Sequence, residues 1–288
     1  MMTGQPSIGI VGAGKVGSTL ARLLYQHKYA IAALYSPTRQ HAQTLADRVS
    51  APVVNTVSEV VAQADLILLT VPDDAIATVA AEIGDQNVRG KAFVHTSGAH
   101  DSSVLARLAA TGGLTGSLHP AFPFADVETS VAKLPGTTFA VEAADDRLLG
   151  WLLDIVAALG GRALVIPPGK KALYHAALAL ASNYTVTLYA LAERLLLSLD
   201  ADRETIDAAL NSLVAATVAN LQEQGIPAAL TGPLTRADVG TVAAHMIALT
   251  EIDAPAAELY RRLAEMTLPL LVERGVDIKE IEMLLNEY

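Results

Sequence analysis

The sequence contains no cysteine, which excludes disulfide bridges, thiolate nucleophiles and thiolate metal sites. It lacks any excess of positive charge: 20 Lys and Arg stand against 30 Asp and Glu, giving a formal net charge of −10 and a pI near 5.1. That balance argues against nucleic acid or an anionic membrane as a main partner. No uninterrupted apolar run is long enough to span a membrane, and even LLGWLLDIVAAL is broken by Asp154. The N-terminus shows no basic segment followed by an apolar signal core, so the cytoplasm is the expected location. The seven histidines form no His-x-x-x-His pair and no cluster with carboxylates at ligand spacing, so no metal is expected. Thr96-Ser97-Gly98 lacks the Gly-x-Ser-x-Gly elbow of a serine hydrolase. What is abundant is apolar: 52% of the 288 residues are hydrophobic, only 17% are charged, and the mean hydropathy is +0.38. Such a chain buries a large core and keeps apolar surface for a partner subunit.

Residues 8–24, IGIVGAGKVGSTLARLL, are the most informative segment. An apolar strand (Ile8, Ile10, Val11) runs directly into Gly12-Ala13-Gly14-Lys15-Val16-Gly17, after which the apolar residues take helical spacing. Gly12 permits a tight turn out of the strand, and Gly14 has no side chain to keep a pyrophosphate away from the backbone. Gly17 lets the helix pack close, so that its N-terminal N–H groups point at phosphates. Between a strand and a helix, this pattern reads as a dinucleotide-binding turn; an empty structural turn is the alternative.

Apolar strands at 7–11, 31–35, 65–70, 91–95, 114–118, 137–141 and 162–166 alternate with helical stretches at 15–26, 38–48, 73–83, 101–109 and 145–159. The alternation predicts an α/β domain, a Rossmann-like, doubly wound parallel sheet, over 1–166. Pro167-Pro168-Gly169 ends it. An all-α domain is predicted over 167–288, with helices at 170–198, 202–223, 236–250, 254–272 and 277–286. The first is apolar on most sides, as expected of a centrally buried helix.

The second strand ends in Ser36-Pro37-Thr38-Arg39, with no carboxylate to bond the ribose 2′-hydroxyl of NAD. Ser36 and Thr38 can donate to a 2′-phosphate and Arg39 can pair with it, which favours NADP over NAD. A solvated helix-start residue is the alternative for Arg39. Ligands of open α/β sheets sit beyond the carboxyl ends of strands, so Thr70, Val71 and Pro72 are expected near the cofactor. Asp73 reads as a helix cap. His95-Thr96-Ser97-Gly98-Ala99 and His119-Pro120 end two further strands on the same rim, with Thr96 and Ser97 assigned to the cofactor.

TVPDDAI, HTSGA, SLHPAFPFA, KKALYHAALALASNY and LTGPLTRAD, in this order, resemble a bacterial family that joins a Rossmann-like domain to a helical domain of unknown function, number 2520. The likeness covers nearly the whole chain, and the family's members are often labelled as similar to deazaflavin-dependent NADP reductases. More distantly the chain is similar to the 6-phosphogluconate dehydrogenase-like superfamily, with pyrroline-5-carboxylate reductase, ketopantoate reductase and the β-hydroxyacid dehydrogenases. The resemblance implies a dinucleotide domain, a helical domain that often dimerises, and reduction of a C=O or C=N bond. Two segments depart from the family: a His-Pro-Leu-Gln-type stretch is His119-Pro120-Ala121-Phe122 here, and Arg-Gly-Asp is Arg236-Ala237-Asp238.

Hydride transfer to a carbonyl or imine needs a group that polarises the acceptor and a source of a proton. On the long helix Lys171, His175 and Ser182 share a face, with Asn183 beside it. The β-hydroxyacid dehydrogenases place a Lys and an Asn on the equivalent helix, at a shorter spacing than Lys171 and Asn183. Asp238, Thr241 and His245 form a polar stripe on an otherwise apolar helix; a structural Asp–His tie is the alternative reading. The expectation is therefore an NADP-dependent oxidoreductase acting on a small molecule between its domains, dimeric through the helical one. His175 or His245 supplies the proton, Asn183 orients the acceptor, and His119, Asp238 and Thr241 complete the catalytic set. Lys171 and Arg236 bind substrate; a pair with Asp238 or a place in a dimer interface is the alternative for Arg236, and a buried ring satisfied by a carbonyl is that for His175. Two alternatives stand beside it: a dinucleotide-binding sensor without turnover, and hydride exchange between NADP and a deazaflavin.

Overall fold

The computed structural model describes residues 4–84, 86 and 88–288. The chain divides into two compact units, the first ending at Ala181 and the second running Ser182–Tyr288. The first unit therefore continues past 166 and takes in the helix that follows Pro167-Pro168-Gly169.

In the first unit the chain forms β1 (Ile8–Val11), α1 (Lys15–Gln26), β2 (Ile31–Tyr35), α2 (Arg39–Val49), α3 (Val57–Gln63), β3 (Leu66–Leu69) and α4 (Ile76–Ile83). It continues through β4 (Ala92–His95), α5 (Ala106–Ala110), β5 (Leu114–Pro120), α6 (Val127–Lys133), β6 (Thr138–Ala143), α7 (Asp146–Ala158), β7 (Arg162–Val165) and α8 (Lys171–Ala181). Among the described residues the strands make one seven-stranded sheet in the order β2-β1-β3-β4-β5-β6-β7. Side chains alternate along each strand, and two apolar layers result. Ile8, Ile10, Leu66, Leu68 and Val94 pack with Leu20 and Leu24 of α1 and with Leu148, Leu152 and Ile155 of α7. Val11, Ile67, Leu69 and Phe93 face the other way, against Val57 and Val60 of α3, Ile76 and Ile83 of α4 and Leu108 of α5. Helices on both faces make this a doubly wound, Rossmann-like sheet.

The sheet is not wholly parallel, as the alternation had suggested. β5 and β6 pair antiparallel, with Ser117 opposite Glu142 and His119 opposite Ala140. β6 and β7 are parallel to each other. A parallel neighbour would need a crossover helix on the sheet face; here the connecting α6 instead lies beside α1, tied by the Arg22–Glu128 pair at 2.6 and 2.9 Å. Two short helices escape the sequence pattern, α3 and α6, each of seven residues. Their caps account for them: Thr56 accepts from the Glu59 N–H, and Asp126 from the Thr129 N–H at 2.8 Å. Asp73 is not a cap; it opens a 3₁₀ turn whose cap position, Pro72, makes no side-chain bond.

The second unit contains α9 (Asn183–Leu197), α10 (Arg203–Gln224), a 3₁₀ turn at Pro233–Arg236, α11 (Val239–Ile252), α12 (Ala254–Glu273) and α13 (Lys279–Glu287). Val242, Ala264, Leu271, Ile281 and Leu285 form its core, from α11, α12 and α13. The helix expected over 170–198 is interrupted at Ser182, where the units divide. Nor is it buried. No residue of α9 is buried within the chain, and of α8 only Lys171 is. Leu191, Leu195 and Leu196 are only partly covered, and Leu173, Leu180, Tyr184 and Val186 are more than half exposed, which periodicity alone does not reveal. No helix of the described residues is long and apolar enough to cross a membrane.

Candidate functional site

The glycine turn is built as its spacing dictates. Gly12 sits at φ +105, where a Cβ would meet the Thr70 carbonyl oxygen at 2.7 Å. A Cβ on Gly17 would lie 2.1 Å from the Gly12 carbonyl oxygen, so α1 packs directly onto the turn. The buried Thr70 hydroxyl, expected near a cofactor, braces this crossing by donating to the Gly12 carbonyl at 2.6 Å. Gly14 differs: it is exposed, and a Cβ there would meet nothing within 4 Å. Gly14 is also the N-cap of α1, which has no side-chain cap and no acidic residue in its first turn. Ala13 is buried, Lys15 exposed and Val16 half-buried beside it. The opening therefore lies at the β1–β3 junction, where strand order reverses. Ser36 is half-buried and Thr38 exposed at the end of β2, and Arg39 donates to Asn55 Oδ1 at 2.6 Å. Val71 is half-buried and Pro72 exposed just past β3.

On the same rim, beyond the ends of β4 and β5, polar groups gather under α8. His95, Ser117 and Glu142 lie in register across β4, β5 and β6. Glu142 accepts from the Ser102 N–H at 3.2 Å, the Ser102 hydroxyl at 3.0 Å and the Ser117 hydroxyl at 3.3 Å. The Lys171 ammonium, 2% exposed, donates to Ser117 Oγ at 2.6 Å. Burial pulls the Lys171 ammonium down to about 8, against the opposing pull of Glu142 and Asp101. His95 is fully buried; its Nδ1 accepts from the Ser97 N–H at 3.2 Å, and its Nε2 is 3.1 Å from the Asp101 carbonyl. Those partners fix the proton on Nε2. Burial, followed by the nearby Lys171, pushes the His95 imidazole down to about 4, so it is a neutral brace. Ser97 is buried and its hydroxyl accepts from the Ala99 and His100 N–H groups, while Thr96 is half-buried.

His119 Nδ1 lies 2.9 Å from the Tyr174 hydroxyl, the rings meeting edge-on. The rings of His119 and His175 are 6.1 Å apart. Both close on Gly98, where a Cβ would lie 2.7 Å from His119 Nε2 and 2.6 Å from His175 Nδ1. The His175 Nδ1 is buried and has no hydrogen-bond partner among the described residues, an orphan that costs on the order of 1–3 kcal/mol. Burial first, then Lys171, drives the His119 imidazole down to about 4. Burial alone raises the Tyr174 phenol to about 12.

Residues 2–120 match the family model of a Rossmann-like domain, and residues 137–267 match that of the domain of unknown function DUF2520. A Bacteroides fragilis protein described as an NADP oxidoreductase is similar at 26% identity, with a TM-score of 0.72 over 91% of this chain and 97% of that one. A Thermotoga maritima protein matches at 24% identity and a TM-score of 0.78, over 93% of this chain and 99% of that one. A reductive aminase from Aspergillus terreus, solved with NADPH and ethyl-5-oxohexanoate, shares the fold at 16% identity and a TM-score of 0.62, over 98% and 92% of the two chains. No curated protein matches the sequence.

The DUF2520 match begins within the sheet, so it includes Glu142, Lys171, Tyr174 and His175 of the first unit. Of the residues singled out from sequence, the structure brings together His119, His175, Lys171 and Ser97. Lys171, expected on substrate, is buried against Ser117. Asn183, Arg236, Asp238, Thr241 and His245 belong to the second unit. Asn183 is the exposed first residue of α9 and Arg236 is exposed. Asp238 caps α11, accepting from the Thr241 N–H at 3.0 Å and its hydroxyl at 2.7 Å, and these bonds hold its carboxyl below the usual range. His245 Nδ1 meets the Tyr260 hydroxyl at 3.0 Å, so the polar stripe makes two separate local contacts and no Asp–His bond. Sequence reasoning passed over Tyr174 and Glu142. Tyr174 follows Lys171 by three positions and shares its helix face, a signal available from spacing alone. Among the described residues no group of three His, Asp or Glu is placed to hold a metal.

Proposed function

We propose that the protein is an NADP-dependent oxidoreductase that reduces a C=O or C=N bond of a small molecule by hydride transfer. The observation that carries this reading is the open, uncapped start of α1 at Gly14, set on the same strand-end rim as His119 and His175. The first-turn N–H groups face room that a diphosphate fills, and Gly14 places no side chain in it. Ser36, Thr38 and Arg39, with no carboxylate among them, suit a 2′-phosphate. When bound, reduced NADP supplies the hydride. His175 polarises the acceptor, and His95 holds the rim in shape as a neutral ring. The likeness to the Bacteroides fragilis protein and the shared fold of the NADPH-bound reductive aminase support this reading.

The same reading includes a homodimer through the second unit. Val186, Leu188, Leu213, Val218 and Leu221 on α9 and α10 are exposed in the single chain, an apolar surface that a second copy covers.

Calorimetry with NADPH and NADH, followed by NADPH oxidation against small keto acids and cyclic imines, tests the proposal. Binding that prefers NADPH, with turnover of one of these acceptors, is the expected result. No heat from either nucleotide at millimolar concentration overturns it, and binding without turnover across the panel leaves a sensor.

A further inference from the structure

α8 presents Lys171, Tyr174 and His175 to the rim at i, i+3 and i+4. The first two meet Ser117 and His119, which are i and i+2 on one face of β5. The helix thus lies along the strand end with its polar face inward. Lys171 is consumed by the Ser117–Glu142 network and is buried. Tyr174 is half-buried, and among the described residues its hydroxyl has a single partner, His119 Nδ1.

The orientation of His119 is pinned from the other side. Its Nε2 abuts Gly98, at a point where any side chain would collide with it, and makes no hydrogen bond to a described residue. A neutral imidazole carries one N–H. On Nδ1 that proton has an acceptor waiting, the phenol oxygen; on Nε2 it has no acceptor among the described residues. The ring therefore donates to Tyr174, and the phenol proton is left free to point elsewhere.

We propose that Tyr174 is the proton donor of the reduction, its O–H aimed at the oxygen or nitrogen of the acceptor by a hydrogen bond from His119 Nδ1–H. This rests on the reductase reading above. As hydride reaches the acceptor carbon, the Tyr174 O–H bond breaks and its proton forms the new O–H or N–H bond of the product. His119 keeps its own proton and donates its N–H to the phenolate left behind, a charge-assisted bond stronger than the one to the phenol. Solvent returns the proton once product leaves. Burial keeps the phenol protonated at neutral pH, as a donor requires. Tyr174 is then a catalytic residue and His119 a positioning residue.

Two measurements on the intact protein test this. The first needs no substrate: nitrogen-15 NMR of histidine-labelled protein, with His119 assigned from His119→Asn. A protonated Nδ1 that shifts in Tyr174→Phe is expected; an Nε2–H tautomer overturns the proposal, because the phenol proton is then committed to the ring. The second uses the best acceptor from the keto acid and cyclic imine panel. Tyr174→Phe is expected to lower kcat by about 10²–10⁴-fold with KM for NADPH unchanged. His119→Asn, which keeps an N–H where Nδ1 stood, retains more kcat than His119→Leu. Undiminished kcat in Tyr174→Phe overturns this inference alone. Absence of wild-type turnover on every acceptor overturns the reductase reading, whatever the tautomer.

Discussion

Ser117 stands opposite Glu142 across the antiparallel junction of β5 and β6, and its hydroxyl links that carboxylate to the buried Lys171 ammonium. Lys171 also opens α8, where the helix dipole disfavours a cation, so Glu142 is its main compensation. Glu142→Gln keeps the shape and removes the charge; a loss of roughly 3 kcal/mol in urea unfolding is expected. Adding Lys171→Met removes the stranded charge, and most of the loss is expected to return. Equal losses in the single and double variants would show that the charge pairing is immaterial.

A second prediction concerns pH. His95 is pushed down to about 4 from an ordinary 6.5 by burial, then by Lys171. A folded value below the unfolded one means that the unfolded chain binds more protons between the two. Stability is therefore unaffected above about pH 6.5, falls as pH drops through that window, and has lost the whole increment below about 4. The shift corresponds to about 3 kcal/mol for this fully buried ring, and His119 adds to it with the same sign. His95→Gln cannot titrate and is expected to flatten the fall between pH 6.5 and 4 seen in urea titrations of the wild type. The same slope in both proteins would remove His95 as its source.

The sequence carries the strands almost residue for residue, because β/α alternation and turn residues are local signals. It also carries the glycine turn and the histidines of the rim. Glu142 stayed hidden for a physical reason: a parallel strand ending at 141 leaves it outside the sheet, whereas the reversed strand reaches Ala143 and sets Glu142 opposite Ser117. Tyr174 was legible from its spacing to Lys171, yet reads equally well as an apolar helix residue until His119 is seen beside it. The burial expected of 170–198 failed because periodicity reports which face is apolar and not what covers it. The polar stripe on α11 split because a residue at the first position of such a stripe serves equally well as a cap.

Gly14 and Gly17 separate binding from folding. Gly14 has φ −76 and open space around a Cβ, so Gly14→Ala is expected to leave unfolding unchanged within about 0.5 kcal/mol. The added methyl stands where the diphosphate approaches, and NADPH affinity is expected to fall about ten-fold or more. Gly17→Ala drives a Cβ against the Gly12 carbonyl and the Thr70 hydroxyl, so stability and affinity fall together. Calorimetry and urea unfolding on both variants check this, and unimpaired NADPH binding by Gly14→Ala would remove the turn as the phosphate site.

Ala237 ends the 3₁₀ turn at φ +51, a left-handed conformation that strains any residue with a Cβ. Relief of that strain outweighs the extra chain entropy of glycine. Ala237→Gly is expected to raise unfolding stability by about 0.5–1 kcal/mol. A destabilised variant would show that the strain is not there to be relieved.

The last prediction follows from the uncovered helices. Val186 and Leu213 are 69% and 64% exposed on α9 and α10, and neither helix has a polar reason to present them to water. Burying one such side chain contributes about 1.5–3 kcal/mol, so a few of them covered on each of two copies outweigh the entropy of association. Light scattering is expected to give twice the 30.1 kDa chain mass at micromolar concentration. Val186→Glu with Leu213→Glu places two charges in each covered surface, which must either be desolvated or hold the copies apart, and the pair is expected to yield monomer. The first unit builds its own core from strands and helices of one chain, so its NADPH binding is expected to survive in that monomer. A wild-type monomer by light scattering removes the dimer, and loss of NADPH binding in the monomeric variant would show that the nucleotide site depends on the second copy.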